Sequence, residues 1–308
     1  MGLRRSDVWD AQAALRPEVV LCGPPRTGST WLHEILACDP GLRVLRNWEA
    51  RHPSATDARA ARREAADWLA GLDRIAAGFR AMHPMEPDGP EECQAAIAAT
   101  FRSWQWPVLF DVPGYAEWLR TADTAPVVDT YLRQLSILEP AGRWVLKSPF
   151  WAPAVPRLLE HSPKTVVVRT VRHPVDMVTS WLRLLDALHA VTLRRRDRAW
   201  FARRWVEILA QLGAAALRIP DAVTVPFPEL TGRPVDTLAL IYARLGRPVS
   251  PDAIAATHRV PPRPRQARPD LEDFGLDALK VLQVFDQAGA GALAALDQAG
   301  RIHVGQTS

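Results

Sequence analysis

The sequence predicts an α/β fold in which a parallel β-sheet is flanked by helices and carries helical insertions. Three observations lead there. Short apolar runs recur at residues 18–22, 143–146 and 164–171, each too brief for a helix and the last rich in β-branched residues. Each run gives way to a polar loop, and segments of helical period separate them. Strands alternating with helices in this way form parallel sheets covered on both faces.

The first strand, residues 18–22, ends at Gly23, Pro24 and Pro25, which force a loop. Ser29 or Thr30 is placed to cap a helix through residue 37, with Trp31, Leu32, Ile35 and Leu36 at helical spacing. Residues 55–80 are rich in alanine and arginine and place Trp68, Leu69, Leu72, Ile75 and Phe79 on one stripe, predicting a long helix laid over the sheet. Residues 82–90 hold three prolines and a glycine, so this stretch is a loop and a candidate pocket wall. Helices follow at 91–101, 115–120 and 126–138. The second strand, 143–146, runs into Lys147, Ser148 and Pro149. After a short helix, the third strand, 164–171, stops at Arg172, His173 and Pro174, where a helix to about residue 189 begins. The C-terminal third reads as helical, with one more strand at 222–225 and a Pro/Arg-rich loop at 260–269. No internal repeat is present. The expected organisation is one domain over 1–308, with a helical insertion at about 54–140 and a helical region at about 230–308.

Composition narrows the class. The chain of 308 residues is 48% hydrophobic and 23% charged, as in ordinary globular proteins. Its first nine residues lack the apolar stretch of a secretory signal, and no apolar run reaches the length of a membrane span, so a cytoplasmic location is expected. Cys22, Cys38 and Cys93 have no paired spacing and read as ordinary thiols of a reducing compartment. The formal charge is +4, and Lys147, Lys164 and Lys280 are the only lysines among 38 basic residues. Most of the arginines are explained by codon bias. The planar guanidinium also suits phosphate-rich ligands.

Residues 23–30, Gly23 to Thr30, have the Gly-x4-Gly spacing of a phosphate loop between a strand and a helix. Backbone N–H groups there, with a helix N-terminus behind them, can hold an anion. Nucleotide hydrolases place lysine directly after the second glycine, and here that position is Ser29. A cation stands instead inside the loop, at Arg26, with Thr27, Ser29 and Thr30 as hydroxyl donors. Arg172 lies at a strand end and Ser180 about two turns into the following helix, on the same side. Together they form a candidate second anion site.

These segments resemble those of the sulfotransferases that use 3′-phosphoadenosine 5′-phosphosulfate (PAPS). The stretch Pro25, Arg26, Thr27, Gly28, Ser29, Thr30 and Trp31 is similar to that family's loop for the 5′-phosphosulfate, and Arg172 with Ser180 to its pair for the 3′-phosphate. Residues 146–149 and 168–180 resemble the bacterial branch. The resemblance implies a P-loop NTPase-like three-layer sandwich, PAPS as donor, PAP as product, and transfer of a sulfuryl group by in-line displacement without obligatory metal. The acceptor would be a hydroxyl or amine of a small molecule, lipid or glycan. Lys147 and Arg26 are the candidates for stabilising the leaving phosphate.

Many members of that family place a histidine shortly after the strand-end lysine. Here the region reads Ser148, Pro149, Phe150 and Trp151. A glutamate downstream of the phosphate loop serves in other members, which makes Glu49 the first candidate base and His83, in the Pro-rich loop, the second. Glu91 and Glu92 read as helix caps. Trp104, Trp106, Phe110, Tyr115 and Trp118 are core residues or an acceptor wall. Arg263, Arg265 and Arg268 fall where the family adds contacts to the 3′-phosphate, without its glycine-rich pattern. Three rival readings stay open: a P-loop small-molecule kinase, a PAP-binding relative without catalysis, and a nonspecific nucleic-acid binder built on the run of arginines at 194–198. No specific nucleic acid or membrane span is expected, and homo-oligomers are compatible with the sequence.

Overall fold

The computed structural model describes residue 15 and residues 17–76, 78–193, 197–260, 271–299 and 303–304. Its sheet has six strands: β1 (Val19–Cys22), β2 (Arg43–Val44), β3 (Trp144–Lys147), β4 (Val166–Val171), β5 (Val223–Pro226) and β6 (His303–Val304). Their order across the sheet is β2-β3-β1-β4-β5-β6. All neighbours are parallel except β6, which runs antiparallel to β5. The chain leaves β1 toward β2 and β3 on one side, then crosses to β4 and β5 on the other. The loops after β3, β1 and β4 are therefore adjacent at the carboxyl edge, where such sheets bind ligands.

Leaving β1, the chain enters α1 (Ser29–Leu36). Between β2 and β3 lie α2 (Asn47–Arg51), α3 (Ala58–Ile75), α4 (Phe79–Met82), α5 (Cys93–Ile97), α6 (Gln105–Leu109), α7 (Pro113–Thr121) and α8 (Ala125–Leu138). Helix α9 (Val155–His161) joins β3 to β4, and α10 (Pro174–Thr192) with α11 (Arg198–Leu217) joins β4 to β5. Beyond β5 come α12 (Phe227–Gly232), α13 (Pro234–Arg244), α14 (Pro251–Arg259), α15 (Ala278–Gln287) and α16 (Ala292–Ala299).

Strand alternation divides the core. Val19 and Leu21 of β1, with Val145, Val168 and Val223, face Leu32 and Ile35 of α1 and Leu238 and Ile241 of α13. Val20 and Cys22, with Leu146 and Val167, face the other way against Ile97, Leu135 and Leu158. A side chain period of two puts both faces of each strand in apolar surroundings, which is why the strands read as continuous apolar runs.

The structure corrects several expected elements. The helix expected over 55–80 is α3 and α4, capped by Asp57, whose side chain accepts from the amides of Arg59 and Ala60. Leu69 and Phe79 of its stripe are buried, whereas Trp68 and Ile75 are exposed. The helix expected over 91–101 shrinks to α5 and a 3-10 turn at Ala98–Thr100. Strand β2 and helices α2 and α6 are too short for a periodicity argument to detect. Cys22 and Cys93 are buried thiols and Cys38 is half-buried; burial pushes the Cys22 thiol up to about 12. Among the described residues, no helix is long and apolar enough to cross a membrane. Arg263, Arg265 and Arg268, and the arginines at 194–196, lie outside the described residues.

Candidate active site

The loop between β1 and α1 is shaped by left-handed backbone at Gly23 (φ 119°), Arg26 (φ 67°) and Gly28 (φ 93°). A Cβ at Gly23 would collide with the Thr170 carbonyl, and one at Gly28 would stand 2.8 Å from Leu230 and in a strained conformation. Gly28 is itself the residue before the helix, so Ser29 and Thr30 lie in the first turn and neither caps it. Both line the cavity described below, Thr30 Oγ1 accepting from Lys147, and a first turn leaves its amides without intrahelical partners. Thr27 has a different task. Its hydroxyl donates to the Pro24 carbonyl at 2.8 Å and meets the Thr170 hydroxyl at 2.6 Å, fully buried, so it pins the loop to β4.

The two anion sites foreseen from separate motifs are one cluster. Arg26 Nε donates to Ser180 Oγ at 2.9 Å, across 154 residues of sequence. Its Nη1 donates to the Met82 carbonyl at 3.1 Å. Arg172 Nη1 donates to the Arg26 carbonyl at 3.1 Å, and its guanidinium lies 4.3 Å from the Phe227 ring centroid. Asp297 of α16 lies beside this arginine. Burial raises its carboxyl pKa, opposed by the backbone N–H groups of His173 and Phe227 and then by the charge of Arg172. Neither Phe227 nor Asp297 carries a sequence signal, because both reach the site from distant C-terminal elements.

Lys147 ends β3 in register with Leu21 of β1. It is only 3% exposed. Its Nζ donates to Thr30 Oγ1 at 3.1 Å and forms an ion pair with Glu92. Immediately behind it, His33 of α1 is 2% exposed. Burial first, and then the charge of Lys147, hold His33 down at about 3, against the raising effect of the Val145 carbonyl.

Pro25, Arg26, Ser29, Thr30 and Lys147 line one end of a cavity of about 200 Å³, with His83, Glu91 and Glu92 around that end. The remaining wall is mostly apolar, including Leu72, Phe79, Val108, Leu109, Trp181 and Leu188, with Arg51, Gln94 and Gln105 among its polar members. His83 enters from the Pro-rich loop, its ring 5.8 Å from Phe79, so that loop does form a wall.

Glu49 is not among the residues that line the cavity. It is the third residue of α2, where its Oε2 accepts from the Arg46 amide at 2.9 Å and its Oε1 pairs with Arg43. One oxygen of Glu49 thus serves the start of α2 and the other the Arg43 guanidinium of β2. The reading of Glu92 as a cap changes. It precedes α5, but its side chain makes no capping bond and reaches Lys147 instead. Glu91 accepts from the Glu92 amide at 2.8 Å and from Asn47, and burial raises its pKa. Of the aromatic stretch, Trp106 stacks between Phe101 and Phe110, and Phe110 and Trp118 are exposed; none of the five lines this cavity.

Known proteins resemble this chain in family and in fold. A model of the sulfotransferase family matches residues 17–251. The fold is similar to the crystal structure of sulfotransferase STF9 from Mycobacterium avium, with a TM-score of 0.74, 22% identity, and coverage of 92% of this chain and 78% of that one. It is also similar to sulfotransferase STF1 from Mycobacterium tuberculosis H37Rv, with a TM-score of 0.69, 25% identity, and coverage of 90% and 79%. No curated protein matches the sequence.

Proposed function

Because the chain belongs to the sulfotransferase family, we propose that it takes the sulfuryl group from PAPS, bound across Arg26, Arg172 and Ser180, and passes it to an acceptor in the adjoining cavity. The observation that carries this reading is the convergence of Arg26, Ser180, Arg172 and Lys147 on the carboxyl edge of three adjacent strands. The donor set fits a ligand with phosphates at two places. Arg172, Ser180 and Arg26 offer charged and hydroxyl donors on the β4 side, while the loop from Pro25 to Thr30 and Lys147 offer them beside β1 and β3. PAPS supplies a sulfuryl group on a phosphate leaving group.

The protein's task is to position, neutralise and deprotonate. Arg26 and Lys147 oppose the charge that develops on the leaving phosphate oxygen, and preorganised cations in a buried site are effective at this. Two cations and the loop amides meet that need without an obligatory metal. Lys147 reaches the same region as Thr30, whose hydroxyl keeps it in place.

Glu92 is the carboxylate best placed to receive the acceptor's proton, since it contacts Lys147 inside the cavity. An acceptor hydroxyl or amine entering there meets Glu92 on one side and the phosphate loop on the other. His83 is the second candidate base. A cytoplasmic location and a single-domain organisation complete the proposal.

Calorimetric titration with PAP, and with ADP and MgATP as controls, tests the donor site. Selective binding of PAP is expected. Tight MgATP binding without PAP binding would replace this reading with the kinase one.

A further inference from the structure

The cavity that receives the acceptor ends at the ring of Phe150, and beyond that ring lies a second, larger space. Phe150 is the third residue after Lys147 and 7% exposed. Its amide donates to Ser148 Oγ at 3.1 Å, so its backbone is held directly to the catalytic strand end. One face of the ring stacks on Trp104, with centroids 5.3 Å apart and planes at 10°. Trp181 and Trp205 pack against it at 6.1 and 6.3 Å. Phe150 lines the acceptor cavity of about 200 Å³ and also a groove of about 820 Å³. That groove is walled by Trp104, Pro153, Pro156, Leu159, Ile208 and Leu212. The proposed transfer does not use it.

The cavity itself discriminates by polarity. Past the end that holds Lys147, His83, Glu91 and Glu92, the polar lining groups are Arg51, Gln94 and Gln105 in an otherwise apolar wall. Arg51 donates to Asn47 Oδ1 at 3.1 Å and lies over the Trp68 ring, and the Gln94 amide is already committed. Its Nε2 donates to Ser148 Oγ at 3.0 Å, and its Oε1 accepts from Ser103 Oγ at 3.0 Å and the Trp104 amide at 2.8 Å. A glycan buried against Leu109, Trp181 and Leu188 would leave hydroxyls unpaired, each costing roughly tenfold in affinity. An alkyl or aryl group would instead gain about fourfold for every methylene it buries.

We propose that the acceptor is a compact apolar alcohol or phenol, and that Phe150, backed by Trp104, sets its length by dividing the reaction cavity from the groove. This rests on the sulfotransferase reading above. The ring acts as a floor. A short chain fills the cavity and stops there, while a longer one must displace an aromatic stack held on three sides. Removing the ring joins the two spaces and lets the chain continue between α11 and the segment carrying Pro153 and Pro156.

The test measures PAPS-dependent sulfation of 4-alkylphenols with chains of increasing length by the wild type, Phe150→Ala and Trp104→Ala. Binding of the same series to each PAP complex is followed by calorimetry. For the wild type, kcat/KM and affinity should rise with each methylene and then fall sharply. In Phe150→Ala the fall should move out by several methylenes, with PAP affinity unchanged within about twofold. Trp104→Ala, which loosens the floor without touching the cavity, should move it in the same direction and serves where Phe150→Ala folds poorly. An identical length limit in all three proteins, with PAP binding intact, would overturn the inference, as would preference for sugars over alkylphenols. Failure of the wild type to bind PAP would instead overturn the donor reading, and this inference with it.

Discussion

His33 should set an acid limit on the fold, and the size of the effect follows from its surroundings. The side chain is buried behind the phosphate loop, and its Nε2 has no hydrogen-bond partner among the described residues. Burial and the nearby Lys147 lower its pKa from 6.5 to about 3 in the folded protein. An unfolded chain therefore takes up a proton between those values that the folded chain refuses. Stability is full above about pH 6.5 and is lost as the pH falls toward 3. At 1.36 kcal/mol per pH unit, moving from pH 7 to pH 5 removes about 2 kcal/mol through this one group. In a small margin of stability, that is a large share. His33→Asn keeps a donor for the Val145 carbonyl and cannot titrate. Urea unfolding of both proteins at pH 7 and pH 5 is the assay. The wild type should lose about 2 kcal/mol more than the variant over that interval. Equal losses would refute the reasoning, because they would place the acid-sensitive groups elsewhere.

Arg172→Ala should weaken PAP binding roughly 10–100-fold by calorimetry, through loss of charge-assisted hydrogen bonds, with the melting temperature little changed. Lys147→Ala should leave PAP affinity within a few-fold and lower kcat by about 10²–10³, as measured by PAP release; a loss confined to KM would exclude its role at the leaving oxygen. Glu92→Gln should cut kcat by about 10². By contrast, Glu49→Gln should cost about 1 kcal/mol of stability, seen in urea unfolding, and leave kcat alone; the opposite pattern would restore Glu49 as the base.

The proposed donor half of the site was legible because its parts are local. A glycine-framed turn between a strand and a helix needs only a few consecutive residues, and the sequence from Gly23 to Thr30 contains all of them. Arg172 and Ser180 were readable for the same reason, since one stands at the end of β4 and the other two turns into the helix that follows it. The strands β1, β3 and β4 were visible as apolar runs because both of their faces are buried. Short elements such as β2 and α2 were not, since two to five residues carry too little periodicity.

The sequence by itself determined the fold class, the phosphate loop and the two arginines, because backbone geometry and period fix these within one segment. Tertiary structure alone decided which of two acids faces the cavity. Glu49 and Glu92 are both carboxylates just before or within short helices, and nothing local distinguishes them. One is spent on Arg43 and the start of α2, whereas the other is carried by chain crossing to Lys147, 55 residues away. The same packing placed Ser180 on Arg26 and Phe150 between two cavities. Contacts of this kind depend on how helices stack over the sheet, and that stacking is settled only when the whole core is buried.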